Sequence, residues 1–541
     1  MNMQKIKKTV LFAPWSALNK NYHAYQMWHS VFHRMFFKVI DFDPQKELYL
    51  RGKDEMNKMF IHLITEKKPD FLFIWLIYDE FYLETLATIK LVSPNTKIIN
   101  FCGDDDMCFE NYTRLLFPFI DYFFSTQADY FKYYNTKPVF FAAGVDTKEF
   151  KPLKLEKKYD VGFIGTPKWD RPEILTYLKE QGIKVAIFSH GSGWERYPEL
   201  KECYLGKPPS DRFSLQFINQ CKINLCLSKN YEKKPHLLER FFQISACNSF
   251  CVVDYCKAYK KFLKENKEIV FFRTKEELLT KIKYFLVHKE QRATIAKRAY
   301  RKTLASFSNE KLVRKMFEKI SNTHYKSNTF LFPKRKIIIL PKDYLLFDLK
   351  KFKEKSERYD YIVFGDEKNS LPYRSELQIY AMELFKKDIS CCNAYYTSRL
   401  IGNYLSISMR SSLRTLSKKD FKSIFFIEQL VFSKEYLVNN WNVIRKKLLM
   451  RNFVLNEKKV AFVNFPLVKI NALYALDKNK IGNLVVPLSD DYLRTIYLNK
   501  DYFSIYFYKF LLFQLFCGAP YRAYTFEKFL SFFSSLTKKA S

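Results

Sequence analysis

Short apolar runs alternate with amphipathic stretches through the first part of the chain. The runs at residues 9–13, 71–76 and 97–101 are typical of buried parallel strands, whereas residues 22–36 and 81–91 have the apolar periodicity of helices. This alternation of strand and helix predicts a doubly wound α/β domain over residues 1–150.

The same alternation begins again near Tyr159. Residues 238–255 join an amphipathic helix to an apolar strand through a Cys-Asn-Ser turn, and residues 268–286 repeat a strand and a helix with Thr274 as the predicted N-cap. We therefore predict a second doubly wound domain over residues 151–325. Ligands of such sheets bind beyond the carboxyl ends of the strands, so we expect a cleft between the two domains.

The pattern changes after residue 334. Strands are expected at residues 336–340 and 359–364, helices at 376–385 and 434–449, and further short strands at 461–465 and 483–487. Residues 334–541 are therefore predicted to form an accessory α+β domain. The fold class is α/β: two tandem doubly wound domains followed by this third one.

The chain is strongly basic, with a formal net charge of +35 from 91 Lys and Arg against 56 Asp and Glu. Such a charge favours an anionic partner: nucleic acid, a sugar nucleotide or an acidic membrane surface. Alternatively, the charge reflects the overall composition and not a partner, because Lys, Asn, Phe and Tyr are all abundant and the basic residues are spread along the chain. No RNA- or DNA-binding motif occurs, so no nucleic-acid partner is expected.

Cysteine usage and hydropathy indicate the compartment. The 11 Cys include no CxxC pair and no Cys/His cluster with zinc spacing, so neither a structural metal nor a disulfide framework is predicted. The apolar run near the N-terminus is too short for a signal peptide, and no run of eighteen uncharged apolar residues occurs. A cytoplasmic location is expected.

Three stretches of the second domain could bind a phosphorylated ligand. The loop FIGTPKWDRP places Gly165 and Lys168 before a helix that opens at Arg171, and a helix N-terminus with nearby cations attracts phosphate. The alternative is an ordinary βα turn. Lys229, Glu239 and Arg240 lie before and at the start of a later helix, and Arg240 is the better candidate for a diphosphate because Arg binds it bidentately. A lysine-rich surface loop is the alternative there.

A glycine-containing turn follows the strand predicted at residues 184–188. It reads HGSGW, and His190, Gly191, Gly193 and Trp194 could receive a nucleobase on a flat backbone. A plain glycine turn with Trp194 in the core explains the sequence equally well.

The first domain offers a cluster of carboxylates. Asp104, Asp105 and Asp106 follow the strand predicted at residues 97–101 and are expected to face the cleft. They could act as general base toward an acceptor hydroxyl or stabilise a developing oxocarbenium ion. A helix cap with solvated acids, or a divalent metal site, are the alternatives.

Two motifs carry a family resemblance. The segment AGVDTKEFKP at residues 143–152 is similar to the Gly-Val-Asp-Thr linker of family 4 glycosyltransferases. A run in the second domain resembles the CgeB-like (spore maturation protein type) group of GT-B glycosyltransferases. That run consists of Arg240, Phe242, Gln243, Ile244, Ala246, Cys247, Asn248 and Phe250.

The resemblance implies a nucleotide-sugar donor bound by the second domain, without a cofactor and without a required divalent metal. This sequence departs from the CgeB-like group at two positions: Gln243 stands where many relatives have Glu, and Asn248 stands where they have Gly. In related enzymes that Glu is thought to bind the donor ribose or sugar, so Gln243 could keep a hydrogen bond but not a charge. Within residues 229–255 no two Glu residues are eight apart, so the retaining signature of family 4 is absent from this segment.

We therefore predict transfer of a sugar from a nucleotide sugar to a glycan, lipid-linked or protein acceptor, as in cell-surface polysaccharide synthesis. Arg240, Lys229 and Arg171 would support the leaving diphosphate, and domain closure would assemble the site. A catalytically inactive relative and a basic scaffold or nucleic-acid-binding protein are the alternatives.

The C-terminal part carries two further features. The segment YDYIVFGDE at residues 359–367 is similar to the acidic motif of GT-A glycosyltransferases, in which Asp366 and Glu367 would hold a metal and a diphosphate; a strand-end turn is the alternative. Residues 502–526 are apolar and aromatic with basic interruptions, as in segments that contact an anionic membrane surface. Packing against the third domain explains that segment equally well.

Overall fold

The computed structural model describes most of the first two domains and part of the third. The described residues are 5–20, 24–76, 79–110, 112–134, 137–189, 193–206, 211–229, 234–322, 335–341, 344–345, 348–365, 373–397, 430–449 and 460–471. The predicted strand at 483–487, the acidic pair Asp366 and Glu367, and the aromatic segment 502–526 lie outside these ranges.

The first domain is built on a sheet of six parallel strands in the order β2-β1-β3-β4-β5-β6. The strands are β1 (Ile6–Phe12), β2 (Phe36–Asp41), β3 (Phe71–Ile74), β4 (Lys97–Cys102), β5 (Tyr122–Ser125) and β6 (Val139–Phe141). The connecting helices are α1 (Ser30–Met35), preceded by a π-helical turn at Tyr25–His29, α2 (Pro44–Arg51), α3 (Lys53–Lys67), α4 (Leu83–Val92) and α5 (Asp105–Cys108). Strands such as β3 are buried along their whole length, as their continuous apolar sequence predicts.

The second domain has five parallel strands in the order β11-β10-β9-β7-β8. They are β7 (Tyr159–Ile164), β8 (Val185–Phe188), β9 (Cys221–Cys226), β10 (Cys251–Asp254) and β11 (Val270–Phe272). The helices are α6 (Arg171–Glu180), α7 (Asp211–Gln220), α8 (Glu239–Ala246), α9 (Lys275–Val287), α10 (Lys289–Ser306) and α11 (Asn309–Asn322). Thr274 caps α9 as predicted, because its hydroxyl accepts a hydrogen bond from the backbone N–H of Glu277.

Helix α11 lies at the end of the second domain in sequence but packs on the first. Its residue Phe317 contacts the rings of Phe36 and Phe71 at centroid distances of 4.7 and 4.9 Å. Polar contacts add to this packing, since the Arg34 guanidinium bridges Asp146 and Glu310 at 2.8 and 2.6 Å. The returning helix therefore ties the two domains together on the side of the first sheet.

The third domain has a mixed sheet in the order β12-β13-β15-β14-β16. Strand β15 runs antiparallel to both neighbours, whereas the outer pairs β12–β13 and β14–β16 are parallel. Its elements are β12 (Ile337–Leu340), α12 (Leu349–Ser356), β13 (Tyr361–Phe364), α13 (Arg374–Phe385), β14 (Ile389–Thr397), β15 (Leu430–Ser433), α14 (Lys434–Asn439), α15 (Trp441–Leu449) and β16 (Val460–Asn471). The predicted fold class, two doubly wound domains and a C-terminal α+β domain, is confirmed.

The third domain packs against the first through α13. The ring of Tyr373, just before α13, lies 6.2 Å from that of Phe119, and the guanidinium of Arg114 lies 5.9 Å from the ring of Phe385. Within the described residues, no helix is both long enough and apolar enough to cross a membrane.

Candidate functional site

A cleft lies between the first and second sheets, at the carboxyl ends of their strands. It contains about 950 Å³ of free space, part of which is open to solvent. The first domain contributes Trp75, Phe101, Gly103, Asp104 and Thr126. The second contributes Phe163, Arg171, His236, Glu239, Arg240 and Gln243, together with the apolar ends of β7 and β9 and the residues that precede α8. This is the position at which doubly wound sheets bind ligands.

The three adjacent aspartates have different surroundings. Asp104 lines the cleft and precedes α5, without capping that helix through its side chain. Asp106 exchanges hydrogen bonds with Gln127: its backbone N–H donates to the Gln127 amide oxygen at 2.8 Å, and the Gln127 amide donates to its carboxylate at 2.6 Å. Among the described residues, Asp104 is therefore the member of the trio that the cleft exposes to a ligand.

Asp105 does not face the cleft, which corrects the expectation for that residue. Its side chain is buried and accepts hydrogen bonds from the hydroxyls of Ser125 and Tyr134, the latter at 2.7 Å. Burial raises the pKa of the Asp105 carboxyl to about 6, although these two hydrogen bonds oppose the shift. Asp105 thus fixes the start of α5 to the end of β5, which positions Asp104 one residue earlier.

Arg171 connects two strand ends on the opposite side. It lies in the first turn of α6, and its guanidinium donates to the backbone carbonyls of Thr166 at 3.1 Å and Leu227 at 2.8 Å. One face of the guanidinium lies over the ring of Phe163, 5.7 Å from its centroid. The positive charge is therefore held in a fixed place at the cleft wall.

Two predicted cationic ligands lie beside the cleft instead of lining it. Lys229 forms an ion pair with Asp170, the residue before α6, so its charge is already matched. Lys168 is half-buried in the loop between β7 and α6. Among the predicted phosphate ligands, Arg171 and Arg240 are the two that the cleft brings together.

The predicted glycine turns pack behind the second-domain wall of the cleft. A Cβ atom on Gly165 would lie 2.7 Å from the ring of Phe163, so a larger residue would displace that ring. Trp194 is buried, and its indole N–H donates to the carbonyl of Gly165 at 2.8 Å, which agrees with the core alternative for this residue. Gly193 has a φ of +118°, which favours glycine. His190 and Gly191 lie outside the described residues.

Helix α8 presents three polar side chains to the cleft: Glu239, Arg240 and Gln243. The side-chain oxygen of Gln243 is buried and accepts no hydrogen bond from any described residue. An unsatisfied buried acceptor in a ligand cleft is suited to a hydroxyl donor on the ligand. After the helix, Asn248 has a φ of +51°, so Asn does adopt the left-handed turn at the position where relatives have Gly.

His236 is a cleft residue that the sequence interpretation missed. Its Nδ1 atom is buried and forms no hydrogen bond with a described residue. Burial lowers the pKa of His236, while the carboxylates of Asp106 and Asp104 act in the opposite direction. Burial therefore favours the neutral imidazole, which can donate or accept a hydrogen bond. The sequence signal for this residue was its position, four residues before Arg240 and shortly after Lys233 and Lys234.

Asp254 was also missed, although it ends strand β10, which directly follows the family-like run that closes at Phe250. It is buried at the end of β10 and accepts hydrogen bonds from the backbone N–H and the hydroxyl of Ser228. Burial raises the pKa of Asp254 to about 6. This contact holds the chain that leads from β9 toward His236.

Residues 171–318 match a family model described as glycosyl transferase-like. The matched stretch includes the polar residues of the second wall, from Arg171 to Gln243, and most of α11. It agrees with the glycosyltransferase resemblance of the sequence. No curated protein matches the chain.

Several solved structures are similar to part of this chain. HepE from Anabaena, solved with UDP and with UDP-glucose, is 12% identical with a TM-score of 0.43, over 58% of this chain and all of that one. Sucrose-phosphate synthase from Thermosynechococcus elongatus is 11% identical with a TM-score of 0.42, over 58% and 98% of the two chains. A glycosyltransferase from Rickettsia africae is 11% identical with a TM-score of 0.41, over 59% and 100%.

Proposed function

We propose that this chain transfers a sugar from a nucleotide-sugar donor, bound by the second domain, to an acceptor bound by the first. The observation that carries the proposal is the composition of the interdomain cleft. A wall with Arg171, Arg240 and Glu239, within the glycosyl transferase-like stretch, faces a wall whose carboxylate is Asp104. The two arginines leave the second wall with a net positive charge opposite Asp104, which suits a reaction in which a diphosphate leaves and a hydroxyl group attacks.

The donor diphosphate is assigned to Arg240. A guanidinium can bind two phosphate oxygens at once, and Arg240 lies at the start of α8, where the helix dipole also favours an anion. Arg171 adds a second positive charge that its carbonyl contacts hold in place. The unsatisfied oxygen of Gln243 would accept a hydrogen bond from a ribose or sugar hydroxyl.

The acceptor is assigned to the first wall. Asp104 would take the proton of the attacking hydroxyl as a general base, and the largely buried rings of Trp75 and Phe101 form the apolar floor beside it. Closure of the two domains would exclude water and bring the hydroxyl to the anomeric carbon. As the bond to the diphosphate breaks, Arg240 and Arg171 would stabilise the negative charge on the leaving group.

We further propose that the chain is a CgeB-like enzyme with a glycan, lipid-linked or protein acceptor and no required divalent metal. Its proposed location is cytoplasmic, with contact to an anionic membrane. Loss of the carboxylate at Gln243 supports the alternative of an inactive relative that still binds nucleotide.

The first experiment is a screen of nucleotide sugars with UDP, GDP, ADP and CMP leaving groups. Thermal shift reports binding, and slow hydrolysis of the donor reports turnover, in the wild type and in Arg240→Ala. We expect one nucleotide to raise the unfolding temperature of the wild type and to act much more weakly on the variant. Absence of binding by any donor overturns the proposal, and salt-sensitive binding of oligonucleotides would favour the basic scaffold. Binding without hydrolysis or transfer would favour the inactive relative.

A further inference from the structure

A group of potential metal ligands lies apart from the cleft residues, on the first domain. It consists of His29, His33 and Asp41. Among the described residues, no other three His, Cys, Asp or Glu side chains have ligand atoms that all lie within 4.8 Å of one another. None of the three takes part in the glycosyl transfer proposed above.

The local fold brings these side chains together. His29 and His33 are four residues apart, so they lie on one face where the π-helical turn Tyr25–His29 continues into α1. Helix α1 leads directly into β2, and Asp41 at the end of that strand reaches both imidazoles. A π-helical turn within a helix is frequent at functional sites.

Two of the three distances between the ligand atoms fit a tetrahedral metal site. Atom Oδ1 of Asp41 lies 3.3 Å from Nε2 of His29 and 3.2 Å from Nε2 of His33. Nitrogen and oxygen ligands at about 2.0–2.2 Å from Zn²⁺, at tetrahedral angles, are about 3.3–3.6 Å apart. The two distances from Asp41 to the imidazoles therefore match such a site, and the three ligand atoms all lie within 4.8 Å of one another.

The Nε2 atom of His29 provides an independent observation. It is buried, and its polar neighbour is Asp41 Oδ1 at 3.3 Å, a contact too loose to count as a regular hydrogen bond. The ring itself is fixed, since it stacks on Tyr25 at 4.3 Å and meets the edge of Phe12 at 5.6 Å. A buried imidazole nitrogen that is fixed but unsatisfied is suited to a metal ion as its partner.

We propose that His29, His33 and Asp41 bind one divalent transition-metal ion of the zinc type. Two imidazoles and one carboxylate favour such an ion over Mg²⁺ or Ca²⁺, which prefer oxygen ligands. The site has an open side, because the His33 side chain is 41% exposed whereas that of His29 is 14% exposed. Three protein ligands leave a fourth position for water or for a ligand from solution.

Titration of the metal-free, full-length protein with Co²⁺ tests this site. Cobalt bound by nitrogen and oxygen gives visible d–d bands without the near-ultraviolet charge-transfer band of thiolate ligands, so binding to the cysteines is distinguished. We expect one equivalent to bind and Zn²⁺ to displace it. His33→Ala and Asp41→Asn should each weaken binding by at least about tenfold, since each removes or weakens a direct ligand.

The matched control is His62→Ala, because His62 is an exposed histidine on α3 that lies outside this group of ligands. It should bind Co²⁺ as the wild type does. His33 is substantially exposed, so His33→Gln provides a second variant if an alanine substitution disturbs folding. The site is refuted if the wild type binds no Co²⁺ with nitrogen and oxygen ligands, or if the His33 and Asp41 variants bind it as tightly as the wild type. In either case Asp41 would only pair with the two histidines, and the group would not be a metal site.

Discussion

The two walls of the cleft differ in chemistry and in origin. The second-domain wall is polar and cationic, with Arg171 and Arg240 among its residues, and lies within the glycosyl transferase-like stretch. Among the described residues, the first-domain wall contains the rings of Trp75 and Phe101 and no cation, and Asp104 supplies its carboxylate. A cationic wall binds an anion in the ground state, whereas a single carboxylate beside aromatic rings suits a neutral sugar and a proton transfer. We infer that the second wall determines donor affinity and stabilises the leaving diphosphate, whereas the first wall affects the rate of transfer without affecting donor affinity.

Asp104→Asn should have the largest effect. An amide cannot accept the proton of the acceptor hydroxyl, so kcat is expected to fall by about 10²- to 10⁴-fold. The donor Kd should be almost unchanged, because Asp104 lies on the opposite wall from the arginines. Steady-state transfer kinetics with saturating donor measure this loss. An Asp104→Asn enzyme with wild-type kcat would remove the catalytic role of the first wall.

Arg240→Ala should have the next largest effect, with a different kinetic signature. Loss of a charged ligand to the leaving diphosphate is expected to lower the transfer rate by about 10²- to 10³-fold and to weaken donor binding. Arg240→Lys should recover part of the binding, since it restores the charge without the bidentate geometry.

The matched control for Arg240→Ala is Arg298→Ala, because Arg298 is an exposed arginine on α10 of the same domain. It removes one positive charge outside the cleft and should leave donor binding unchanged. If both variants weaken binding equally, the effect of Arg240 would be a general effect of net charge.

Much of this arrangement could be predicted from the sequence, because periodicity determines which faces are buried. The continuous apolar runs identified the parallel strands, and Thr274 with Glu277 identified the start of α9. The crossing of α11 to the first sheet could not be predicted, since its amphipathic pattern is the same whichever core it packs on. Phe317 indicates an apolar face but not the partner of that face.

The candidate site was harder to predict for a similar reason. Asp104 and Asp105 are chemically identical neighbours, and only the positions of Ser125 and Tyr134 decide which of them is turned into the core. The pairing of Lys229 with Asp170 spans 59 positions, and sequence spacing does not reveal it. His236 could have been identified, because it lies three residues before the start of the helix that carries Arg240.

Asp105→Asn tests whether the buried aspartate is structural. The pKa of Asp105 in the folded protein, about 6, is above the value of about 3.9 expected in the unfolded chain. The folded state therefore binds more protons between these values, and the contribution of this group to stability falls as pH rises from 5 to 7. Urea denaturation gives the free energy of unfolding at pH 5 and at pH 7. Asp105→Asn should reduce the difference between these two values by about 1 kcal/mol. An unchanged pH dependence would mean that Asp105 is not buried as a titrating acid.

Gln243→Glu should have the smallest effect and would restore the carboxylate that many relatives carry. A hydrogen bond from a donor hydroxyl to a charged acceptor is stronger by roughly 1 kcal/mol, so donor affinity should rise by about fivefold. Gln243→Ala should lower it, and the pair of variants can be compared by equilibrium titration. If both substitutions leave affinity unchanged, the side-chain oxygen of Gln243 does not contact the donor.

The division of roles between the two walls is tested most directly by calorimetric titration of the donor into Asp104→Asn and Arg240→Ala at one ionic strength. We predict a Kd within about twofold of the wild-type value for Asp104→Asn and a Kd raised by about ten- to a hundredfold for Arg240→Ala. Equal weakening in both variants, or weakening in Asp104→Asn alone, would contradict the assignment of the donor to the second wall.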